Sequence, residues 1–170
     1  MTPVTAVLIT REKHYPTDIH MDFPFDEVLV ETSCQNVRRR FELALEARNE
    51  IVYVQDDDAE IDIDALWKHY DGRLTNAIMP YHLTAYAGTG VTLIGWGAFF
   101  PKALINFSRW EAAYGEVDAM EADRIFTYLA QPHNTIVMPV HERIRQVRMC
   151  MEPDHYTKKN QIIKQLGALC

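Results

Sequence analysis

The sequence lacks most of the features that mark secreted, membrane-bound or zinc-binding proteins. Its three cysteines, Cys34, Cys150 and Cys170, are widely spaced and form no CxxC pair, so neither a disulfide framework nor a zinc site is indicated. No apolar run is long enough to cross a bilayer, and no low-complexity tract is present. The opening residues lack the basic region of a signal peptide. These absences predict a soluble cytoplasmic protein that makes no contact with membranes.

The sequence also lacks an excess of positive charge. Its 17 lysines and arginines stand against 24 aspartates and glutamates, and the net charge of −7 gives no general attraction for phosphate backbones. The charge is unevenly distributed, however, because Arg38, Arg39 and Arg40 are consecutive and further basic residues crowd the C-terminal quarter. Such a distribution suits a polyanion or a phosphate-bearing donor. These totals do not indicate the oligomeric state.

What the sequence does contain is an alternation of strand-like and helix-like segments. Strand patterns cover 4–10, 27–31, 51–55, 76–80, 91–94 and 135–140, and helical patterns cover 36–47, 62–70, 121–130 and 156–169. At 170 residues, of which 48% are hydrophobic, the chain suits one domain. We therefore expect a single α/β domain over residues 1–170, with a mostly parallel, Rossmann-like sheet flanked by helices.

Three consecutive acids follow the third strand-like segment. Asp56, Asp57 and Asp58 come directly after the apolar run 51–55, so they leave the sheet at its carboxyl end, where open α/β sheets bind ligands. Hard divalent cations prefer carboxylate oxygens. The run therefore predicts a Mg²⁺ or Mn²⁺ site that serves a diphosphate. The alternative is an acidic turn that caps the following helix.

Two glycines flank a tryptophan after the segment 91–94. Gly95 and Gly97 would permit a ligand to approach the backbone closely, since neither carries a side chain. The alternative is that Trp96 is a core residue at an irregular turn. Local pattern does not choose between the two.

The order of these pieces resembles the GT-A fold of nucleotide-sugar glycosyltransferases over nearly the whole chain. Several stretches, notably 53–58, 91–97 and 121–128, look like short phage-type glycosyltransferases of this fold. The resemblance implies a metal-dependent enzyme that moves a sugar from a nucleoside-diphosphate sugar to an acceptor hydroxyl. It leaves open whether the acceptor is a glycan, a protein side chain, a small metabolite or a hydroxymethylated DNA base. A phage enzyme would act in the host cytoplasm.

The resemblance also implies metal ligands. Asp58 is the first candidate, and Asp56 is expected to face the ribose or a metal-bound water, while Asp57 could do either job. A second ligand from the C-terminal part would be His155, with His141 as the alternative. Few protein ligands suffice, because Mg²⁺ and Mn²⁺ complete their shells with phosphates and water.

An inverting transferase needs a carboxylate that accepts the proton of the acceptor hydroxyl. By the resemblance, Asp123 is the first candidate for this base and Glu121 is the second. The alternative is that both are ordinary acids on a helix surface. The assignment falls away if the enzyme retains the anomeric configuration.

The resemblance further implies a donor-binding set along the strand ends. The nucleobase and ribose would lie near the ends of the first two strands, Arg38 would reach a phosphate, and the Trp96 ring would form a wall against the sugar. The predicted donor-binding residues are Thr10, Arg11, Glu31, Arg38, Asp56, Asp57, Gly95, Trp96 and Gly97.

Two other functions stay open at this point. Nucleotidyltransferases also hold Mg²⁺ with carboxylates, but they display a Gly-rich phosphate loop near the first strand, and residues 8–12 contain no glycine. A non-catalytic module could retain the fold and the nucleotide pocket without turnover.

Overall fold

The computed structural model describes residues 2–10, 13, 22–34, 36–57, 59–78, 91–114 and 122–137. Its elements in chain order are β1 Val4–Ile9, β2 Glu27–Glu31, α1 Arg39–Glu46, β3 Ile51–Gln55, α2 Ile63–Lys68, β4 Thr75–Ile78, β5 Ala98–Pro101, α3 Phe107–Tyr114, α4 Ala122–Leu129 and β6 Asn134–Val137. A short 3-10 turn, Lys102–Leu104, follows β5. The expected α/β class is confirmed, whereas the predicted helix 156–169 lies outside the described residues.

The described strands form one mostly parallel sheet in the order β2-β1-β3-β5-β4-β6. Strand β1 pairs in parallel with β2 and β3, and β4 pairs in parallel with β6. Strand β5 is antiparallel to both of its neighbours, so it alone among these six runs the other way. The chain leaves β1 towards one edge of the sheet and leaves β3 towards the other. This divergence creates a crevice between the carboxyl ends of β1 and β3.

The central strands β1, β3, β4 and β5 are largely buried on both faces, whereas the edge strands β2 and β6 are partly exposed. Because side chains alternate along a strand, Val52 and Val54 enter one core cluster while Tyr53 enters the other. The first cluster packs against α1, α3 and α4, and the second packs against α2. Burial on two sides explains why β1 reads as a continuous apolar run without alternation.

The predicted strand 91–94 is wrong. These residues form no ladder, and the strand in this region is β5, a few residues later. Side chains of α4 instead satisfy the backbone of this segment. Thr92 N–H donates to Thr127 Oγ1 at 3.0 Å, Thr127 Oγ1 donates to Thr92 O at 3.2 Å, and Ile94 N–H donates to Asp123 Oδ2 at 3.3 Å. Apolar content alone does not reveal this kind of pairing.

Helix α3 was not expected from the sequence pattern. Its start carries a recognisable signal, because Asn106 Oδ1 accepts the N–H of Arg109 at 2.9 Å in the manner of an N-cap. In the described part of the chain, no helix has the length and apolar character that a bilayer crossing needs.

Candidate functional site

The candidate site lies where β1, β2 and β3 end. Thr10 follows β1, Glu31 ends β2, and Asp56 and Asp57 follow β3. The N–H of Thr10 donates to the carbonyl of Glu31 at 3.0 Å, and its hydroxyl donates to the Asp57 carboxylate. The latter hydrogen bond spans the crevice between β1 and β3. The structure thus brings four of the predicted donor-binding residues together at the carboxyl end of the sheet.

Behind these strand ends lies a buried arginine that was not among the predicted site residues. Arg40 on α1 is only 2% exposed, and its guanidinium lies between two acids. Nη2 donates to Asp56 Oδ1, and Nη1 lies 3.4 Å from Asp123 Oδ2. Burial by itself would lower the pKa of Arg40, but the carboxylates of Asp123 and Asp56 raise it above its usual value. Arg40 therefore stays charged between the two carboxylates, and Arg124 adds a further positive charge near Asp123.

Asp123, the first candidate base, is buried on the inner face of α4. Its side chain meets Arg40 and accepts the N–H of Ile94. Burial raises the pKa of Asp123, and the nearby Arg40 opposes that rise. Asp123 and Thr127 are four residues apart on one helix face, so together they attach α4 to the segment 91–94. The acid thus has a clear structural contact as well as the predicted role.

Gly95 gives room to Asp56. The N–H of Asp56 donates to the carbonyl of Gly95 at 2.6 Å, and a Cβ built on Gly95 would lie only 1.9 Å from Asp56 Oδ2. The close approach that the sequence suggested for a ligand is made by the carboxylate of Asp56. Any larger residue at position 95 would displace this carboxylate.

Gly97 is required for a different reason. Its φ of +130° lies in a region that residues with a side chain rarely adopt. An added Cβ would also lie 2.4 Å from Ile61 Cδ1 and 2.9 Å from the Tyr53 hydroxyl. Trp96, between the two glycines, is 8% exposed and belongs to the first core cluster. Its position matches the core tryptophan that the sequence left as an alternative, and a contact with sugar stays a prediction.

Two other predicted donor-binding side chains have protein partners. Glu31 forms an ion pair with Arg39 at 2.7 Å. Arg38 pairs with Glu111 at 3.1 Å, and its guanidinium carbon lies 4.5 Å from the centroid of the Phe107 ring. Arg38 therefore joins α1 to α3, and its expected contact with a phosphate stays a prediction.

The metal prediction depends largely on residues outside the described ranges. Asp58, His155 and the alternative His141 are not described, and neither are Arg11 and Glu121. Within the ranges given above, no group of three or more His, Cys, Asp or Glu residues could hold a metal ion. The described carboxylates nonetheless fit the donor chemistry of Mg²⁺ or Mn²⁺. The side chain of Asp56 is 39% exposed despite its contact with Arg40, and Asp57 is half-buried beside it.

The sequence carried a signal for Arg40 that the pattern reading missed. Residues 40, 43, 44 and 47 are spaced as one helix stripe, and all four are buried. An arginine on an otherwise apolar stripe needs an acidic partner inside the protein. The identity of that partner could not be read locally, because Asp56 and Asp123 are 16 and 83 residues away.

No protein-family model matches this chain, and no curated protein shows significant similarity to it.

Proposed function

We propose that this protein is a metal-dependent glycosyltransferase of GT-A-like fold that moves a sugar from a nucleoside-diphosphate sugar to an acceptor hydroxyl. The observation that carries the proposal is the crevice between β1 and β3, spanned by the hydrogen bond from Thr10 to Asp57. Crevices of this kind, at which the chain leaves two neighbouring parallel strands in opposite directions, are where open α/β sheets bind ligands. The acids at this crevice suit a cation and a diphosphate.

The donor would occupy the ends of the first three strands. Thr10, Arg11 and Glu31 would contact the nucleobase and ribose, and the diphosphate would lie near the acids 56–58. Asp58, Asp56 and His155 are the proposed metal ligands, and Asp56 would reach the ion directly or through a metal-bound water. Mg²⁺ or Mn²⁺ would act there as a Lewis acid that stabilises the new negative charge of the departing nucleoside diphosphate.

In the transfer step, the acceptor oxygen bonds to the anomeric carbon of the sugar while the bond from that carbon to the diphosphate oxygen breaks. A carboxylate takes the hydroxyl proton, and Asp123 is the first candidate and Glu121 the second. A general base needs a pKa raised towards neutral pH, and burial raises the pKa of Asp123. The same burial opposes this role, because a base must come within hydrogen-bond reach of the acceptor hydroxyl. The acceptor hydroxyl would belong to a glycan, a protein side chain, a small metabolite or a hydroxymethylated DNA base.

A panel of nucleotide-sugars tests the proposal. Thermal unfolding is measured with UDP-, GDP-, ADP-, CDP- and TDP-linked sugars, with and without Mn²⁺. A donor at one hundred times its Kd adds about 2.7 kcal/mol to the free energy of unfolding when it binds only the native protein. The donor that raises Tm in a Mn²⁺-dependent way is then assayed for release of nucleoside diphosphate.

We expect Asp58→Ala to abolish this release and Asp71→Ala to leave it intact, because Asp71 lies in an exposed turn paired with Arg73. Turnover that persists in saturating EDTA would contradict the metal-dependent mechanism. Binding without turnover would identify a binding module, and release of pyrophosphate from a nucleoside triphosphate and a sugar phosphate would identify a nucleotidyltransferase.

A further inference from the structure

We propose that Arg40 is a positioning residue, whose guanidinium holds the carboxylate of Asp56 against Gly95 and thereby sets the donor side of the site from within the core. The consequence for metal and diphosphate rests on the proposed function. The effect of Arg40 on the position of the Asp56 carboxylate does not depend on that function.

Arg40 lies in an unusual environment for an arginine. Arginines normally place their charged group in water, yet this side chain is 2% exposed on the buried stripe of α1. Its Nε is buried and finds no hydrogen-bond partner among the described residues, which is a cost to stability. The side chain directs its two terminal nitrogens at Asp56 and Asp123.

The carboxylate of Asp56 is confined from two sides. Arg40 takes Oδ1, while Oδ2 lies where a side chain on residue 95 would begin. The backbone of Asp56 is held to the same residue, through its N–H and the Gly95 carbonyl. The carboxylate therefore has little freedom to rotate, although it is partly exposed at the edge of the sheet.

The contacts of Arg40 connect four parts of the site. Arg40 joins α1 to the end of β3 through Asp56 and to α4 through Asp123. Asp123 in turn accepts a hydrogen bond from the N–H of Ile94, which precedes the glycine that confines Asp56. One guanidinium thus keeps the donor-side acid and the candidate base at a set separation. Groups that orient a ligand in this way commonly change metal affinity 10- to 100-fold when they are removed.

A matched pair of variants separates positioning from stability. Arg40→Met alone leaves two acids without their buried cation, so we expect a large fall in Tm. Arg40→Met combined with Asp123→Asn removes one of these charges, and we expect its Tm to be higher than that of Arg40→Met. The double variant is therefore compared with Asp123→Asn, which retains Arg40. Arg48→Met, at an exposed ion pair, controls for loss of an arginine.

Two readouts are measured on this pair. Mn²⁺ binding is titrated by electron paramagnetic resonance in the presence of UDP, GDP, ADP, CDP or TDP. Crystal structures of the ligand-free variants give the orientation of the Asp56 carboxylate. We expect the double variant to bind Mn²⁺ at least about tenfold more weakly than Asp123→Asn does, whatever affinity Asp123→Asn itself retains. We expect the carboxylate to lie over Gly95 in Asp123→Asn and to rotate away in the double variant. Gly95→Ala should weaken Mn²⁺ binding in the same way, from the opposite side.

The inference is overturned if the double variant keeps Asp56 over Gly95, or if it binds Mn²⁺ as tightly as Asp123→Asn does. If wild type binds no Mn²⁺ with any of the five nucleotides, the proposed function fails. The crystal structures then still decide whether Arg40 positions Asp56.

Discussion

The two ends of the sheet both carry an arginine paired with carboxylates, but in opposite environments. At the carboxyl end, Arg40 is 2% exposed between Asp56 and Asp123. At the amino end, Arg48 is 74% exposed and contacts Glu27 at 2.8 Å. Water screens the second pair and replaces its partners when they separate, whereas the guanidinium of Arg40 and the carboxylate of Asp123 are buried and have no such substitute. Short ion pairs in one sheet can therefore differ greatly in how much of the structure depends on them.

At the amino end, short contacts meet at Glu27 in the start of β2; those from Arg48 are exposed, and the one from Thr5 is partly buried. Glu27 accepts hydrogen bonds from Thr5 Oγ1, Arg48 N–H and Arg48 Nε, each at 2.8 Å. These donors hold the strand start, and none of them joins distant helices. The carboxyl end instead connects α1, β3 and α4 through one side chain. Equivalent substitutions at the two ends should therefore have unequal effects.

The largest expected difference concerns the two arginines. Arg40→Met should lower the free energy of unfolding by about 3 to 5 kcal/mol, because it leaves buried charge without a partner. Arg48→Met should change it little, since exposed ion pairs contribute little. Urea denaturation of both variants at neutral pH measures the difference. Equal losses at the two positions would show that burial does not distinguish these pairs.

Glycines at the two ends provide a second comparison. Gly97, at the carboxyl end, combines a φ of +130° with close neighbours, whereas Gly72, before β4, has a φ of +88° and nothing within 4 Å of an added Cβ. Gly97→Ala should therefore cost about 2 to 4 kcal/mol through strain and overlap. Gly72→Ala should cost about 1 to 2 kcal/mol through strain alone. Thermal unfolding ranks the two variants, and a larger loss at Gly72 would contradict this account of the space around Gly97.

The smallest expected effect is a difference in pH dependence. The hydrogen bond from the Arg48 backbone, followed by that from Thr5, lowers the pKa of Glu27, so its contribution to stability is present above its unfolded pKa of about 4.3 and is lost as pH falls through the folded value. Burial raises the pKa of Asp123, so its effect has the opposite sign, and stability falls as pH rises from about 3.9 through the folded value.

Unfolding curves between pH 3 and pH 7 should show these opposite slopes as differences from wild type. Glu27→Gln should reduce the loss of stability in acid, and Asp123→Asn should reduce the loss that accompanies ionisation of the buried acid. Parallel changes in the two variants would contradict the assigned directions.

Sequence patterns located the parallel part of the sheet well. The predicted bounds of β2 and β3 agree with the structure, and β1 is one residue shorter than expected. Strands β1 and β3 are buried on both faces and appear as mostly apolar runs, whereas β2 is partly exposed at the edge of the sheet. The same reasoning failed at 91–94, whose residues are equally apolar and buried. Their backbone is paired with α4 side chains 29 and 35 residues away, so no local pattern could have revealed it.

The sequence by itself determined the α/β class and the position of Asp56 and Asp57 after a buried strand, because periodicity and strand ends are local properties. Only the tertiary structure decided that β5 runs antiparallel, that Gly95 makes room for a carboxylate of the protein, and that Arg40 serves Asp56 and Asp123 together. These features arise from contacts between distant parts of the chain. A buried charge must find its partner wherever the fold brings one within reach.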